Sequence, residues 1–327
     1  MIQYFEKHFP VVYDAKTTFL IAFLVLLFII SYLIIQILKR GTSISRTLVQ
    51  ELQQRYRSWL ILALIILIPI IVHKSATIAA ITLLSLLCYR EYARATGLFR
   101  EHLVSGVVVL GILLLNFAAW DEWYRFFVAI FPLSISCIAI VAIWKDQPKG
   151  YIQRIGMATL GFALFGSCLG HLSYLSNDDN YRAILILIFL AVELNDIAAF
   201  TVGKLFGRNK LLPHTSPNKT IEGAVGSIFF TTLFVFTVGY YVFENTPLQH
   251  PLHRLFMGLI ISMLGQCGDF MLSSVKRDIG IKDMSSLIPG HGGLLDRFDS
   301  IILVAPAIFY YLNYFMGVGN HTPAGSL

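Results

Sequence analysis

Charge is what this chain of 327 residues has least of: 13% of it is Asp, Glu, Lys or Arg, against about 25% in a soluble domain. A water-facing surface cannot be built from that supply. With 56% hydrophobic residues and a mean hydropathy of +0.70, disorder is excluded too, because disorder needs the opposite balance. Cysteine is scarce: Cys88, Cys137, Cys168 and Cys267 lie in or beside apolar stretches, with no CxxC pair. They read as small buried side chains rather than a disulfide or metal framework. Also missing is the apolar–polar alternation that an outer-membrane barrel needs. The net charge is +6, yet nothing resembles a nucleic-acid-binding module, so no nucleic-acid partner is expected. The basic surplus is read as a record of membrane orientation and anionic lipid contact.

What the chain has in quantity is continuous apolar sequence. Ten stretches read as membrane spans: Thr18–Leu38, Trp59–Val72, Ser75–Tyr89, Leu103–Trp120, Phe126–Trp144, Ile155–Ser176, Ala183–Phe200, Ile221–Phe243, Leu255–Leu272 and Ile301–Val318. The expected fold is all-α, a polytopic membrane bundle of about ten transmembrane helices, in a range of about eight to ten. The second and third runs are short and suit a tight pair turning at His73–Lys74–Ser75. The first has neither the basic leader nor the small-residue cleavage site of a signal peptide. Loops 39–58, 90–102, 145–154, 201–220 and 273–300 carry 19 of the 25 Lys and Arg residues, and the opposite loops with both termini carry 6. By the positive-inside rule the basic loops are expected in the cytoplasm and both termini outside. Residues 1–180 are expected to form a transmembrane scaffold. Residues 181–327 are expected to form a transmembrane catalytic region with cytoplasmic polar loops 201–220 and 273–300.

Polar residues interrupt the apolar pattern mainly in the second half. The seventh run ends in E193-L-N-D196 and the ninth in G265-Q-C-G-D269. Ionisable groups at such depth usually face a cavity or partner, although a helix-end carboxylate can also simply reach the headgroup zone. If the ninth helix continues past Asp269, Ser273 and Lys276 follow at i+4 and i+7 on one face, with Arg277 close by. Asp296 and Asp299 stand at i and i+3, one turn into the tenth helix. Two helix ends bearing carboxylates toward one space are a common way to hold a hard cation such as Mg2+. Between them lies P289-G-H-G-G293. Glycines let backbone N–H groups approach a phosphate closely, and Lys276, Arg277, Lys282 and Arg297 could neutralise phosphate charge. Together these features suggest metal-assisted phosphoryl or nucleotidyl transfer. Spacing alone leaves open a Gly-rich juxtamembrane turn with ordinary topological charge. Upstream, Thr220 suits a helix N-cap, Ser216 a turn with Pro217, and Lys219 a phosphate. A plain capped helix would read the same way. His171 is expected to cap or pack within its helix, and His214 to hydrogen-bond within its loop.

The run S273-S-V-K-R-x-x-x-x-K-D-x-S-x-x-I-P-G-H-G-G-L-L-D-R-F-D299 resembles the signature of the phosphatidate cytidylyltransferases, or CDP-diacylglycerol synthases, at every defined position. The block D196-I-A-A-F-x-x-G-K-L-F-G-R-N-K-L-L-P-H-T-S-P-N-K-T-I-E-G223 is similar to a second block of that family. One departure stands out. The family usually follows this Asp with Thr-Gly-Ala-Tyr, whereas Ile197, Ala198, Ala199 and Phe200 stand here, which bears on headgroup or cytidine fit. The resemblance covers about residues 181–316.

The resemblance implies that CTP and phosphatidate give CDP-diacylglycerol and pyrophosphate. The acidic helix ends beside the basic loops are expected to put the site on the cytoplasmic face, in a bacterial inner membrane. The resemblance also implies Mg2+ on Asp269 and Asp296, with a potassium ion beside it, and a homodimer. Asp299 and Asp283 are further acidic candidates. Lys276, Arg277, Lys282 and Arg297 are expected on phosphate, as is the backbone around Gly290, Gly292 and Gly293; His291 is a catalytic candidate that either touches phosphate or, like His214, hydrogen-bonds within its loop. Asp196, Ser216, Lys219, Thr220, Glu222 and Ser273 are expected on the substrate side. The competing readings are a cytidylyltransferase for another lipid phosphate, a CTP-dependent lipid kinase of the polyprenol type, and, more remotely, a transporter. The transporter reading lacks an inverted repeat or a midplane pair of broken helices.

Overall fold

In a lipid environment the backbone must satisfy its own hydrogen bonds, so long apolar runs become helices. The computed structural model describes residues 15–40, 46–285 and 292–317. Ten long helices run through these residues: α1 (Ala15–Arg40), α2 (Arg46–Val72), α3 (Lys74–Ala95), α4 (His102–Trp120), α5 (Tyr124–Ile143), α6 (Tyr151–Leu175), α7 (Tyr181–Phe206), α8 (Ile221–Val242), α9 (Pro251–Asp278) and α10 (Leu295–Met316). Eight of them, α1 and α4 to α10, are long and apolar enough to cross a membrane, and α2 adds a shorter apolar segment, Tyr56–Val72. The chain is therefore a polytopic helical membrane protein. The expected tight pair is present as α2 and α3, joined at His73, whose side chain accepts from the Ser75 amide and caps α3.

Several helices outrun their apolar segments. The seventh run ends at Phe200, but α7 continues to Phe206, so Gly203 and Lys204 are helical rather than in a loop. Residues 210–220 are not a simple turn. Strand β1 (Lys210–Leu212) pairs antiparallel with β2 (Ser216–Thr220), matching Lys210 with Thr220 and Leu212 with Ser216 around a bulge. This hairpin delivers Thr220 as the N-cap of α8, its hydroxyl accepting from the Gly223 amide at 3.1 Å. α6 carries a π-helical stretch, Phe162–Cys168. His171 lies just beyond it, its Nδ1 2.7 Å from the Ser167 carbonyl, with its ring against Phe127, Phe309 and Tyr310. That is a packing role.

A buried polar layer binds α7, α8 and α9 immediately beside the acidic residues. Asn195, fully buried, accepts from Thr231 Oγ1 and donates to the Ser262 carbonyl, both at 3.3 Å. Gln266 donates to Ser227 Oγ at 3.0 Å and to the Ala224 carbonyl at 3.3 Å. Such bonds between membrane helices contribute about 0.6 kcal/mol each, so their main consequence is to fix rotation about the helix axes. Asp196 and Asp269 are thereby turned toward one region.

α9 and α10 approach through Gly268, where a Cβ would lie 2.5 Å from the Asp299 carbonyl oxygen. Gly268→Ala is expected to lower thermal stability in detergent by about 1–3 kcal/mol, the cost of an overpacked contact. Gly156→Ala, where a Cβ meets nothing within 4 Å, is the control and should not lower it.

Candidate active site

α9 does continue past Asp269, through Asp278. Ser273 then lies one turn on and donates to Asp269 Oδ1 at 3.3 Å. One further turn along, Lys276 reaches across to α10 and pairs with Asp296 Oδ1 at 2.6 Å. The second oxygen of Asp296 accepts from the amides of Met284 and Gly293, each at 2.9 Å. This ion pair is largely buried, with side-chain exposures of 11% and 8%. Arg277 turns away from it, donating to the carbonyls of Thr215 and Ile281 and so tying the β1–β2 hairpin to the end of α9.

A second ion pair closes the other side. Lys219, carried in by β2, sits 2.6 Å from Asp269 Oδ2. Burial works against its charge, but Asp269 and Asp196 outweigh that and hold its pKa above the ordinary lysine value. Any stability this contributes is complete below the ordinary lysine pKa and is lost only as pH rises through the elevated one, so Lys219 is cationic at neutral pH.

Asp196, Asp269 and Asp299 lie within electrostatic range of one another, opposed by Lys219, Lys276 and Arg297. Ser300 links two of them, donating from Oγ to Asp196 Oδ2 at 3.1 Å and from its amide to Asp299 Oδ1 at 2.8 Å. Asp196 Oδ1 is buried with no hydrogen-bond partner among the described residues. Glu222 faces elsewhere: its carboxylate accepts from the Arg208 and Asn209 amides and the Asn209 side chain, bracing the hairpin. Ser216 is the first residue of β2, and Lys282 and Asp283 are exposed in the segment after α9. Gly290 and His291 lie outside the described residues, whereas Gly292 and Gly293 lead into α10.

The residue that sequence reasoning missed is Glu91, on α3 in the first half of the chain. It is 4% exposed. Oε1 accepts from Ser285 Oγ at 2.7 Å and the Leu294 amide at 3.0 Å, and Oε2 accepts from the Leu295 amide at 2.9 Å. Glu91 therefore caps the start of α10, where free N–H groups and the helix dipole favour an anion. The turn below it favours glycine. Gly292 has a φ of +80°, and a Cβ at Gly293 would fall 2.6 Å from Glu91 Oε2. The only sequence signal was an acidic residue in the R90-E-Y-A-R94 helix end, indistinguishable from surface charge.

The arrangement is a rim of carboxylates interleaved with lysines and arginine at converging helix ends, on residues drawn from both halves of the chain. The sequence model of the cytidylyltransferase family matches residues 53–315. The chain belongs to this family. Similarity extends over most of its length to a phosphatidate cytidylyltransferase of Bacillus subtilis (strain 168), 31% identical over 274 residues, 81% of this chain and 99% of the relative. A phosphatidate cytidylyltransferase of Rickettsia typhi is 30% identical over 217 residues, 65% of this chain and 91% of its own. An Escherichia coli (strain K12) protein named uncharacterized protein YnbB is 32% identical over 270 residues, 81% of this chain and 88% of its own. The family match spans both halves of the chain, and so does the cluster described above, with Glu91 on one half and the lysine–aspartate pairs on the other.

Proposed function

We propose that this cytidylyltransferase transfers the cytidylyl group of CTP to phosphatidate, forming CDP-diacylglycerol and pyrophosphate at the cytoplasmic rim of the membrane. The observation that carries the reading is the pair of bridges Lys219–Asp269 and Lys276–Asp296, which set cations and carboxylates alternately around one helix-end site. The nucleophile is an oxygen of the lipid phosphate, anionic at neutral pH, so no strong general base is needed. It forms a bond to the α-phosphorus of CTP while the bond from that phosphorus to the bridging oxygen breaks, and pyrophosphate leaves with that oxygen. Two anions must approach, so the work is positioning and charge stabilisation. Lys219, Lys276 and Arg297 supply positive charge that buried carboxylates hold in place. Arg277 and Glu222 position the hairpin that carries Lys219. Lys282, exposed after α9, provides a further phosphate contact.

The donor set suits a divalent cation. Asp196 Oδ1 is a hard oxygen without a hydrogen-bond partner among the described residues, and a carboxylate offers about four acceptor positions, so Asp269 and Asp296 can each hold a lysine and a cation together. Among the described residues, no three acidic, His or Cys side chains form a ready cage. The cation proposed is Mg2+, which usually takes one or two carboxylates and completes its shell with phosphate oxygens and water. When bound there it would neutralise phosphate charge and polarise the α-phosphorus. The excess of Lys and Arg on loops of one side supports a cytoplasmic orientation for the rim.

Product analysis tests the reading. Purified protein in detergent, given CTP, phosphatidate and Mg2+, is expected to release one pyrophosphate for each lipid consumed. Release of CDP instead would establish phosphoryl transfer and overturn it.

A further inference from the structure

α1 is tied down at one end. Leu20 is fully buried, and Phe19 and Phe23 pack their rings on Tyr241 and Phe234 of α8 at 5.2 and 5.7 Å. Further along, α1, α2 and α7 part around a groove of about 320 Å3. Its walls are three matching stripes, from Leu24 to Ile35 on α1, from Tyr56 to Leu67 on α2, and from Ile186 to Ile197 on α7. Each stripe advances about 16 Å at 1.5 Å per residue, which is half of a hydrocarbon core about 30 Å thick.

The three helices agree on polarity. α1 and α7 run in one direction and α2 in the other, so Ile35, Tyr56 and Ile197 share one end of the cavity and Leu24, Leu67 and Ile186 share the other. The lining is apolar except near the first end, where Glu193 stands one turn from Asp196 on α7. Glu193 lies within electrostatic range of Arg297 as well as Asp196 and Asp299. A carboxylate beside hydrocarbon is costly unless it borders a polar site, and here it marks where the groove meets the phosphate-binding rim. Glu193 and Ile197, on either side of Asp196 along α7, bring the groove up to the rim, and its lining suits the hydrocarbon of an amphiphile running from there toward mid-bilayer.

We infer that this groove holds one hydrocarbon chain of the lipid phosphate acceptor, so that the first two helices measure the chain while the second half performs the transfer. The inference rests on the proposed reaction. It places lipid access where α1 and α2 pack beside α7. Ile197, which replaces the family's usual Thr after Asp196, belongs to the groove wall. At this position the departure extends the apolar surface instead of removing a headgroup contact.

Filling the groove tests this. Ala63→Trp in the full-length protein should raise KM for dioleoyl phosphatidate about tenfold, equivalent to losing about two buried methylenes. KM for CTP and turnover of dihexanoyl phosphatidate should stay near wild type. An unchanged preference between long and short chains would overturn the inference. A second measurement covers a variant that fails to fold. Wild-type protein is irradiated with phosphatidate bearing a diazirine in one acyl chain, and labelled peptides are mapped. Labelling of α2 and α7 that is displaced by phosphatidate but not by phosphatidylcholine supports the groove. Equal displacement by both lipids shows annular lipid only and overturns it. Specific labelling without any CDP-lipid product would retain the groove while defeating the proposed reaction, so the two failures are distinct.

Discussion

Asp296→Asn is expected to reduce cytidylyl transfer by at least about 100-fold, the scale on which removing one preorganised electrostatic group from a reacting site acts. The same change should also weaken the fold. Asp296 is bound by Lys276 and by two backbone amides, so the asparagine leaves a buried ammonium without its counter-charge. Breaking a buried pair from one side costs about 3–5 kcal/mol. The two losses can be separated. Adding Lys276→Met to Asp296→Asn removes the stranded charge and should restore most of the thermal stability. It should restore none of the activity, because the site then lacks both the carboxylate and the cation. Recovery of activity in the double variant would show that the pair is purely structural. Measuring thermal unfolding and turnover for wild type, both single variants and the double variant completes the cycle.

Glu91→Ala should have the second-largest effect. It leaves the Ser285 hydroxyl and the Leu294 and Leu295 amides without their acceptor. Each buried unsatisfied group costs about 1–3 kcal/mol, so the start of α10 should fray and take Asp296, Arg297 and Asp299 with it. Glu91→Gln retains one acceptor oxygen but turns an NH2 toward a donor, and should fall between wild type and alanine. A positioning role predicts that the Gln variant, still folded at assay temperature, loses kcat at least about tenfold while KM for the lipid changes little. An inert structural role would lower stability alone, leaving the kcat of the surviving folded fraction unchanged.

Those two residues also mark the boundary of what the sequence can disclose. The helical face Asp269–Ser273–Lys276 was legible because its spacing is local and helix geometry converts i+4 and i+7 into one surface. The pairing of Lys276 with Asp296 was not, since both had been given to ligands and nothing local says that they take each other. Glu91 was invisible for a stronger reason: its partners are 194 to 204 residues away, and no periodicity reports such a contact. α7 overran its apolar run because helix continuation beyond Phe200 depends on packing against the start of α8, not on hydrophobicity. The β1–β2 hairpin hid in a loop whose glycine, proline and lysine content reads as irregular. The groove was hidden because the first two helices looked like generic membrane spans, and only their packing against α7 forms a cavity lined in part by Glu193.

The central claim is that the lipid phosphate attacks the α-phosphorus of CTP at the rim between α7, α9 and α10. Two parallel incubations of the purified protein with phosphatidate and Mg2+ test it, one with CTP labelled at the α-phosphorus and the other at the γ-phosphorus, followed by partition into organic solvent. Cytidylyl transfer predicts that the α-label moves into the lipid phase and the γ-label stays in water as pyrophosphate. The reverse distribution, with the γ-label in the lipid and the α-label in water, would contradict it.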